Sequence, residues 1–456
     1  MTGTIRAGLA ALALLMLPAC ASLSATPNAP LGETAEPGYR LTSLASSGNA
    51  DEAFIIIAFS GGGKRSAAFG YGALKGLAAL QFGGEGTRRS LLSDADVLSG
   101  VSGGTFVAAT YGLQREAMFG RFEDEFLTHD FNAEIIQLYA LPWRWDWMVN
   151  PNWGTNDEMA RVYDETLFHG ATYADLIAKG RPLIIVQATA LATGAPFVFG
   201  QDSFDLLCSD LSSYPLSRAV AASNGFPVLF TPITLTNHRS KACALAQPAW
   251  IAEGLKDPDE LSLKRMQAEL AQRYLDQGDM PYVHLVDGGV ADNLALRGPF
   301  DTIERRRGAI PSTTRRVLVI SVDGQAEQDK EVSRVPVVGD VLRILDAVTG
   351  GVIDRSNIET LRYARSAIER LAAEETVDRC ARGEKPLRAY FAHISLKDAP
   401  DAEELKRIPT GLTIKRQFIW QLVVAGEKAL EAEKTIQRFI TEFNEPDACP
   451  AAANAY

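Results

Sequence analysis

Three short segments hold residue types that could carry out acyl-transfer chemistry. Gly100 to Gly104 read GVSGG, the GxSxG spacing in which a serine hydroxyl stands at the tip of a sharp strand-to-helix turn. Ser102 is the candidate nucleophile. Gly100 and Gly104 suit a turn where a Cβ would strike neighbouring backbone, and a helix starting near Gly103 would aim its first N–H groups at developing negative charge. Ser60 to Arg65 read SGGGKR, and consecutive glycines let a backbone turn its N–H groups inward as an oxyanion hole, with Gly62 and Gly63 as donors. A phosphate-binding P-loop does not fit, because Arg65 rather than serine or threonine follows Lys64. The dinucleotide fingerprint fails as well, with Ser66 where its last glycine belongs. In the third segment the apolar run YVHLV delivers Asp287 to its end, and Gly288 and Gly289 let the chain bend away.

Asp287 is a candidate general base, since a carboxylate within hydrogen-bond reach can take the proton of an attacking serine. A solvated aspartate, with a pKa of about 3.9, is a weak base for that task, so the site must raise it by burial. A Ser-His-Asp triad needs a histidine, and the chain has His129, His169, His238, His284 and His393. His284 precedes Asp287 by three positions, which on one strand puts the two on opposite faces. A rival assignment uses Ser102, Asp323 and His393, which occur in the chain order of an ordinary α/β-hydrolase esterase.

Together, and in this order, the three segments resemble the patatin-like phospholipases. The resemblance covers about Ala53 to Phe300 and includes AASNGFPVLFTPI, Ala221 to Ile233, which is similar to the family's small-residue helix followed by Pro-x-x-Phe-x-Pro. It implies a serine acyl hydrolase with a Ser-Asp dyad: Ser102 as nucleophile, Asp287 as base, and Gly61, Gly62, Gly63, Arg65 and Gly103 around the oxyanion. The implied substrates are carboxylic esters of phospholipids or lysophospholipids, with no cofactor and no metal. From another class, the same fold could serve as a non-catalytic outer-membrane lipoprotein scaffold.

The elements that must position these residues follow an α/β rhythm. AFIIIAF, Ala53 to Phe59, is continuously apolar, as a strand buried on both faces of a parallel sheet would be. A small-residue helix follows it, then a strand at DVLSG and a second helix. Further strands are expected at Leu183 to Ala190, Pro196 to Phe199, Val283 to Val286 and Val317 to Val322, with a helix near Gly298 to Arg306. The expected fold is α/β, a mainly parallel central sheet flanked by helices, with helical C-terminal additions. Residues 51–310 form the catalytic domain, with insertions near 120–180 and 237–281, and residues 311–456 pack on it as strands and helices. In the second insertion Leu263, Met266, Leu270 and Tyr274 share one helical face. Ser356 and Glu359 predict a helix start, and Phe418, Leu422, Ala429, Ile436 and Phe439 predict one long helix.

Over 456 residues, 46% are hydrophobic and 22% charged, which excludes intrinsic disorder. A net charge of -11 would repel nucleic-acid phosphates and argues against a nucleic-acid role. Residues 1–19 have the layout of a bacterial secretory signal, with Arg6 before an apolar run ending in LPAC. That tetrapeptide resembles a lipoprotein box, which implies lipidation at Cys20, a flexible tether over 20–50, and an outer-membrane lipoprotein facing the periplasm. Ala19 and Ala21 also form an A-x-A site, which would yield a soluble exported protein. Export permits disulfides among Cys208, Cys243, Cys380 and Cys449; proximity favours Cys208 with Cys243 and Cys380 with Cys449, and four buried thiols is the other possibility. Trp143, Trp145, Trp147 and Trp153 fall in one short stretch, either as an interfacial membrane contact or packed on their own domain.

Overall fold

The structure, a computed structural model, describes residues 28–32, 38–45, 52–145, 147, 153–227, 229–240, 243, 245–305, 310–325, 333–334, 336, 341–399, 402–405, 407–408 and 410–449. The candidate leader and Cys20 lie outside the described residues.

Strand β1, Ala53–Phe59, and strand β2, Ala95–Val101, are buried along their whole length. So are β3, Leu183–Ala190, and a later strand at Arg316–Asp323. These continuous apolar runs occupy the middle of an eight-stranded sheet, where a strand has covering layers on both faces. That later strand is β7, and the sheet's other members are β4, Pro196–Phe199, β5, Ile233–Thr236, β6, Tyr282–Val286, and β8, Arg388–Ser395. The strand order is β8-β7-β1-β2-β3-β6-β5, with β4 pairing separately to β3. The run from β8 to β3 is parallel, whereas β6, β5 and β4 pair antiparallel. Every strand expected from the sequence is present.

Helices close both faces. Helix α1, Gly63–Ala79, follows β1 after the short loop Ser60, Gly61 and Gly62, and α2, Gly103–Gln114, follows β2 after one residue. The first insertion supplies α3, Phe131–Ala140, and α4, Thr155–Tyr163. Helix α5, Leu216–Ser223, comes next, and the second insertion contributes α6, Leu263–Tyr274. Helix α7, Arg297–Arg305, α8, Val341–Ala381, α9, Arg416–Glu431, and α10, Lys434–Glu442, complete the layers.

Several expectations are corrected. The fold begins before Glu52: Tyr39, Leu41 and Leu44 are buried, the Tyr39 hydroxyl donates to the Ile184 carbonyl at 3.2 Å, and Ala29–Pro30 pairs with Ser209–Asp210. Apolar side chains thus dock this part of the supposed tether onto the domain. Position 310 is not a structural boundary either, because β7 lies beside β1 and β8 beside β7 in the same sheet. The helix predicted to start at Ser356 instead runs through that position from Val341, so the local capping signal is unused. The single long C-terminal helix is two, α9 and α10, broken where the Glu433 side chain accepts from the Thr435 N–H at 3.0 Å. In α6 the buried face is Gln267, Ala268, Ala271 and Tyr274, while Leu263, Met266 and Leu270 line a groove with Phe197 and Tyr363. The cysteines form Cys208–Cys243 and Cys380–Cys449 disulfides, with Cα–Cα distances of 6.2 and 5.8 Å.

Candidate active site

Register brings the candidate nucleophile and the candidate base together. Val101, last in β2, pairs with Gln187, and Val286, last in β6, pairs with Thr189. The two strands run in opposite directions yet end over the same stretch of β3. Ser102 then occupies the one-residue turn into α2 with φ 50° and ψ -121°, a backbone state rare for any residue but glycine. Packing holds it there: the Ser102 N–H donates to Ser223 Oγ at 2.9 Å, and that hydroxyl donates to the Gln187 carbonyl at 2.5 Å. A methyl on Gly103 would collide with the Gly63 carbonyl, and one on Gly104 with that of Phe59. This close approach is why the turn needs its glycines.

Ser102 Oγ donates to Asp287 Oδ2 at 2.9 Å, across 185 positions of sequence. Asp287 is anchored on every side. Its N–H donates to the Gly225 carbonyl at 2.9 Å, its Oδ1 accepts the Gly289 N–H at 2.8 Å, and its carbonyl accepts from Thr189 Oγ1 at 2.8 Å. The Gly288 N–H donates to the Ser223 carbonyl at 3.0 Å. Burial pushes the Asp287 carboxyl up to about 6, while the Gly289 N–H and the Ser102 hydroxyl oppose that rise. The group is therefore ionised at neutral pH yet a stronger base than a solvated aspartate.

The glycine loop supplies the donors. Gly62 and Gly63 adopt φ of 130° and 62°, and the amides of Gly62, Gly63 and Gly103 have no acceptor among the described residues. The N-terminal ends of α1 and α2 meet here, so their unpaired N–H groups and helix dipoles converge on one spot. Such an arrangement can bind an oxyanion. Among the described residues no cluster of His, Cys, Asp or Glu could hold a metal.

The Patatin-like phospholipase family profile matches residues 57–299. The chain belongs to the patatin-like phospholipase family. No curated protein matches it. Among solved structures it matches human GIVD cytosolic phospholipase A2 at 13% identity and a TM-score of 0.43, over 86% of this chain and 62% of that one. It also matches VipD from Legionella pneumophila at 10% identity and a TM-score of 0.27, over 83% of this chain and 67% of that one. The chain thus spans 62% of the human protein it is compared with.

Within this family site two expected oxyanion residues have other work. The Gly61 N–H is spent on the Asn293 carbonyl at 2.9 Å. The Arg65 guanidinium donates to the carbonyls of Gly324 at 2.9 Å and Ile408 at 2.5 Å, and to Thr410 Oγ1 at 3.2 Å. Its place in the first turn of α1 directs it toward the C-terminal segment, so it braces the loop. Ser66 donates to the Ser60 carbonyl at 2.7 Å and closes the loop's base. The rival triad is not assembled: His393 lies on β8, three strands or about 14 Å across the sheet from β2. Its Nδ1 is 3.2 Å from Ser321 Oγ.

Sequence reasoning missed Asn224, whose Oδ1 lies 3.1 Å from Ser102 Oγ, and Tyr163, whose hydroxyl lies 3.0 Å from Asn224 Nδ2. Asn224 is the C-cap of α5 and Tyr163 the last residue of α4, and no spacing in the sequence ties either to Ser102. It also missed Ile408 and residues 410–413: the Gly411 carbonyl accepts the Lys64 N–H at 2.8 Å, and Thr413 Oγ1 donates to Asp130 at 3.0 Å. Nothing in the local sequence there marks these contacts.

Proposed function

We propose that the protein is a lipid acyl hydrolase that cleaves carboxylic esters of phospholipids or lysophospholipids through a Ser102–Asp287 dyad. The observation that carries this reading is the 2.9 Å hydrogen bond from Ser102 Oγ to a buried carboxylate, beside unpaired glycine amides, in a member of this family. Asp287 takes the hydroxyl proton as Ser102 Oγ attacks the ester carbonyl. The oxyanion of the tetrahedral intermediate faces the amides of Gly62, Gly63 and Gly103, each able to contribute roughly 3 kcal/mol in a dry site. On collapse Asp287 protonates the departing alcohol, leaving an acyl-serine. Water then attacks that ester, gives its proton to Asp287, and the proton returns to Ser102 Oγ as the fatty acid leaves.

The same reading makes Cys20 a lipidated N-terminus and the protein an outer-membrane lipoprotein facing the periplasm. Two disulfides support an oxidising compartment. Near the site, Ile136, Tyr139, Trp145 and Leu229 are exposed, and the Tyr139 hydroxyl donates to the Leu229 carbonyl at 2.8 Å. This apolar patch suits contact with a lipid surface. Trp153, by contrast, donates to Glu158 at 2.7 Å and is half-buried, so the tryptophan stretch divides between packing and exposure.

Labelling with a fluorophosphonate probe tests the dyad. Ser102 is expected to be the modified residue, with labelling abolished in Ser102→Ala and strongly slowed in Asp287→Asn; labelling elsewhere would reject the assignment.

A further inference from the structure

The Ser102 hydroxyl has one proton but two apparent acceptors, Asp287 Oδ2 at 2.9 Å and Asn224 Oδ1 at 3.1 Å. On the far side of the same carboxamide, Asn224 Nδ2 donates to the Tyr163 hydroxyl at 3.0 Å. With the carboxamide in this orientation, one proton faces two acceptors, and the Tyr163 proton faces none among the described residues. The two ends of a carboxamide are alike in shape, and the hydrogen-bond network decides which is which. Half a turn of the Asn224 amide gives the Tyr163 hydroxyl proton an acceptor and leaves the Ser102 proton with a single one. Tyr163 O–H donates to Oδ1, Nδ2–H donates to Ser102 Oγ, and Ser102 O–H donates to Asp287.

We infer that Asn224 donates a hydrogen bond to Ser102 Oγ and is a second catalytic residue beside Asp287, with Tyr163 as the positioning residue that orients it. This rests on the dyad reading above. A buried donor on Oγ stabilises negative charge there, and so lowers the cost of moving the serine proton onto a weak base. The same donor acts again when Oγ is the leaving group of the acyl-serine. Asn224 keeps its own protons throughout; the only proton moved is the one passed between Ser102 and Asp287.

The surroundings fit this role. Asn224 and Tyr163 are both buried, and Tyr163 meets the rings of Phe106 at 4.9 Å and Phe131 at 5.4 Å, edge-on in each case. Burial pushes the Tyr163 hydroxyl well above the usual phenol range, so it stays a donor. Tyr163 ends α4 of the first insertion, which thereby fixes the nucleophile as well as covering it.

The test uses the full chain and steady-state hydrolysis of a phospholipid and of a p-nitrophenyl ester. Asn224→Ala is expected to lower kcat by about 100-fold or more with little change in KM, the size of effect seen for removal of one oxyanion-type donor. Asn224→Asp keeps the shape but has no N–H and adds a like charge beside Asp287. It should show a similar loss and move the acid limb of kcat/KM to higher pH, which loss of packing alone would not do. Tyr163→Phe should lower kcat about tenfold at constant KM, the kinetic counterpart of about one hydrogen bond. If Asn224→Ala does not fold, Tyr163→Phe decides. A folded Asn224→Ala or Tyr163→Phe enzyme with wild-type kcat overturns the inference while the dyad stands; hydrolysis that survives Ser102→Ala removes the dyad itself.

Discussion

As the proposed base, Asp287 would have to be ionised near neutral pH and still accept a proton from an alcohol, and its burial is what reconciles the two. With its carboxyl pushed up to about 6, kcat/KM should fall as pH drops below about 6, and a pH-rate profile with its acid limb near 4 would contradict that environment. The stability consequence has the opposite sense. A carboxyl whose folded value is raised contributes stability that is fully present below its unfolded value of about 3.9 and is lost as pH rises through about 6. Asp292, raised to about 6 by burial, adds in the same direction. On the proposed mechanism, the enzyme would work in the range where its own base destabilises it. Asp287→Asn should abolish turnover yet gain about 1–3 kcal/mol at pH 7.5, measurable by urea denaturation. Gly103→Ala should fail in a different way, because its methyl meets the Gly63 backbone. It should lose activity and lower Tm together.

Elements differ in how openly the sequence declares them. β1, β2, β3 and β7 are legible because strands buried on both faces must be apolar throughout, and the glycine-flanked turns after β1, β2 and β6 mark where chemistry sits. Side-chain contacts across the fold leave no such local mark, so Asn224 and Tyr163 went unread. The same holds for α8, whose interior Ser356 mimics a helix start, and for α6, whose apolar residues face a groove. Ile408, Thr410 and Gly411 show the point most clearly, since two of the three contribute through backbone carbonyls that any sequence possesses. Arg65 is their main tie to the glycine loop. Arg65→Met leaves buried carbonyls without a donor, so it should lower kcat about tenfold or more while KM stays near wild type, at a cost of about 1–3 kcal/mol in stability. Removing the Cys380–Cys449 link, which joins positions 69 apart, should cost about 2–4 kcal/mol in Cys449→Ser, again read by denaturation.

At the scale of the whole molecule, the sheet crosses the boundary suggested by sequence alone. β7 pairs with β1 over its length, and the C-terminal end is fastened back onto it by Asp447, whose Oδ1 lies 2.7 Å from Arg316 Nη1, both side chains fully buried. A fragment ending at residue 310 would expose one edge and one flank of β1. It is expected to be insoluble, and a soluble, cooperatively folding fragment would contradict this account. Cys20→Ala, if Cys20 is the anchor, should move the protein from the membrane fraction to the soluble fraction without changing its turnover of a water-soluble ester. The Gly411 carbonyl on the Lys64 N–H also puts biosynthesis in a definite order. A chain emerging from the ribosome carries its serine long before it carries the segment that stiffens the amides opposite, so the nascent polypeptide should be catalytically idle. Stalled chains ending before residue 405 should hydrolyse no ester, and the hydrolase would switch on only when the stretch beyond that point has been made.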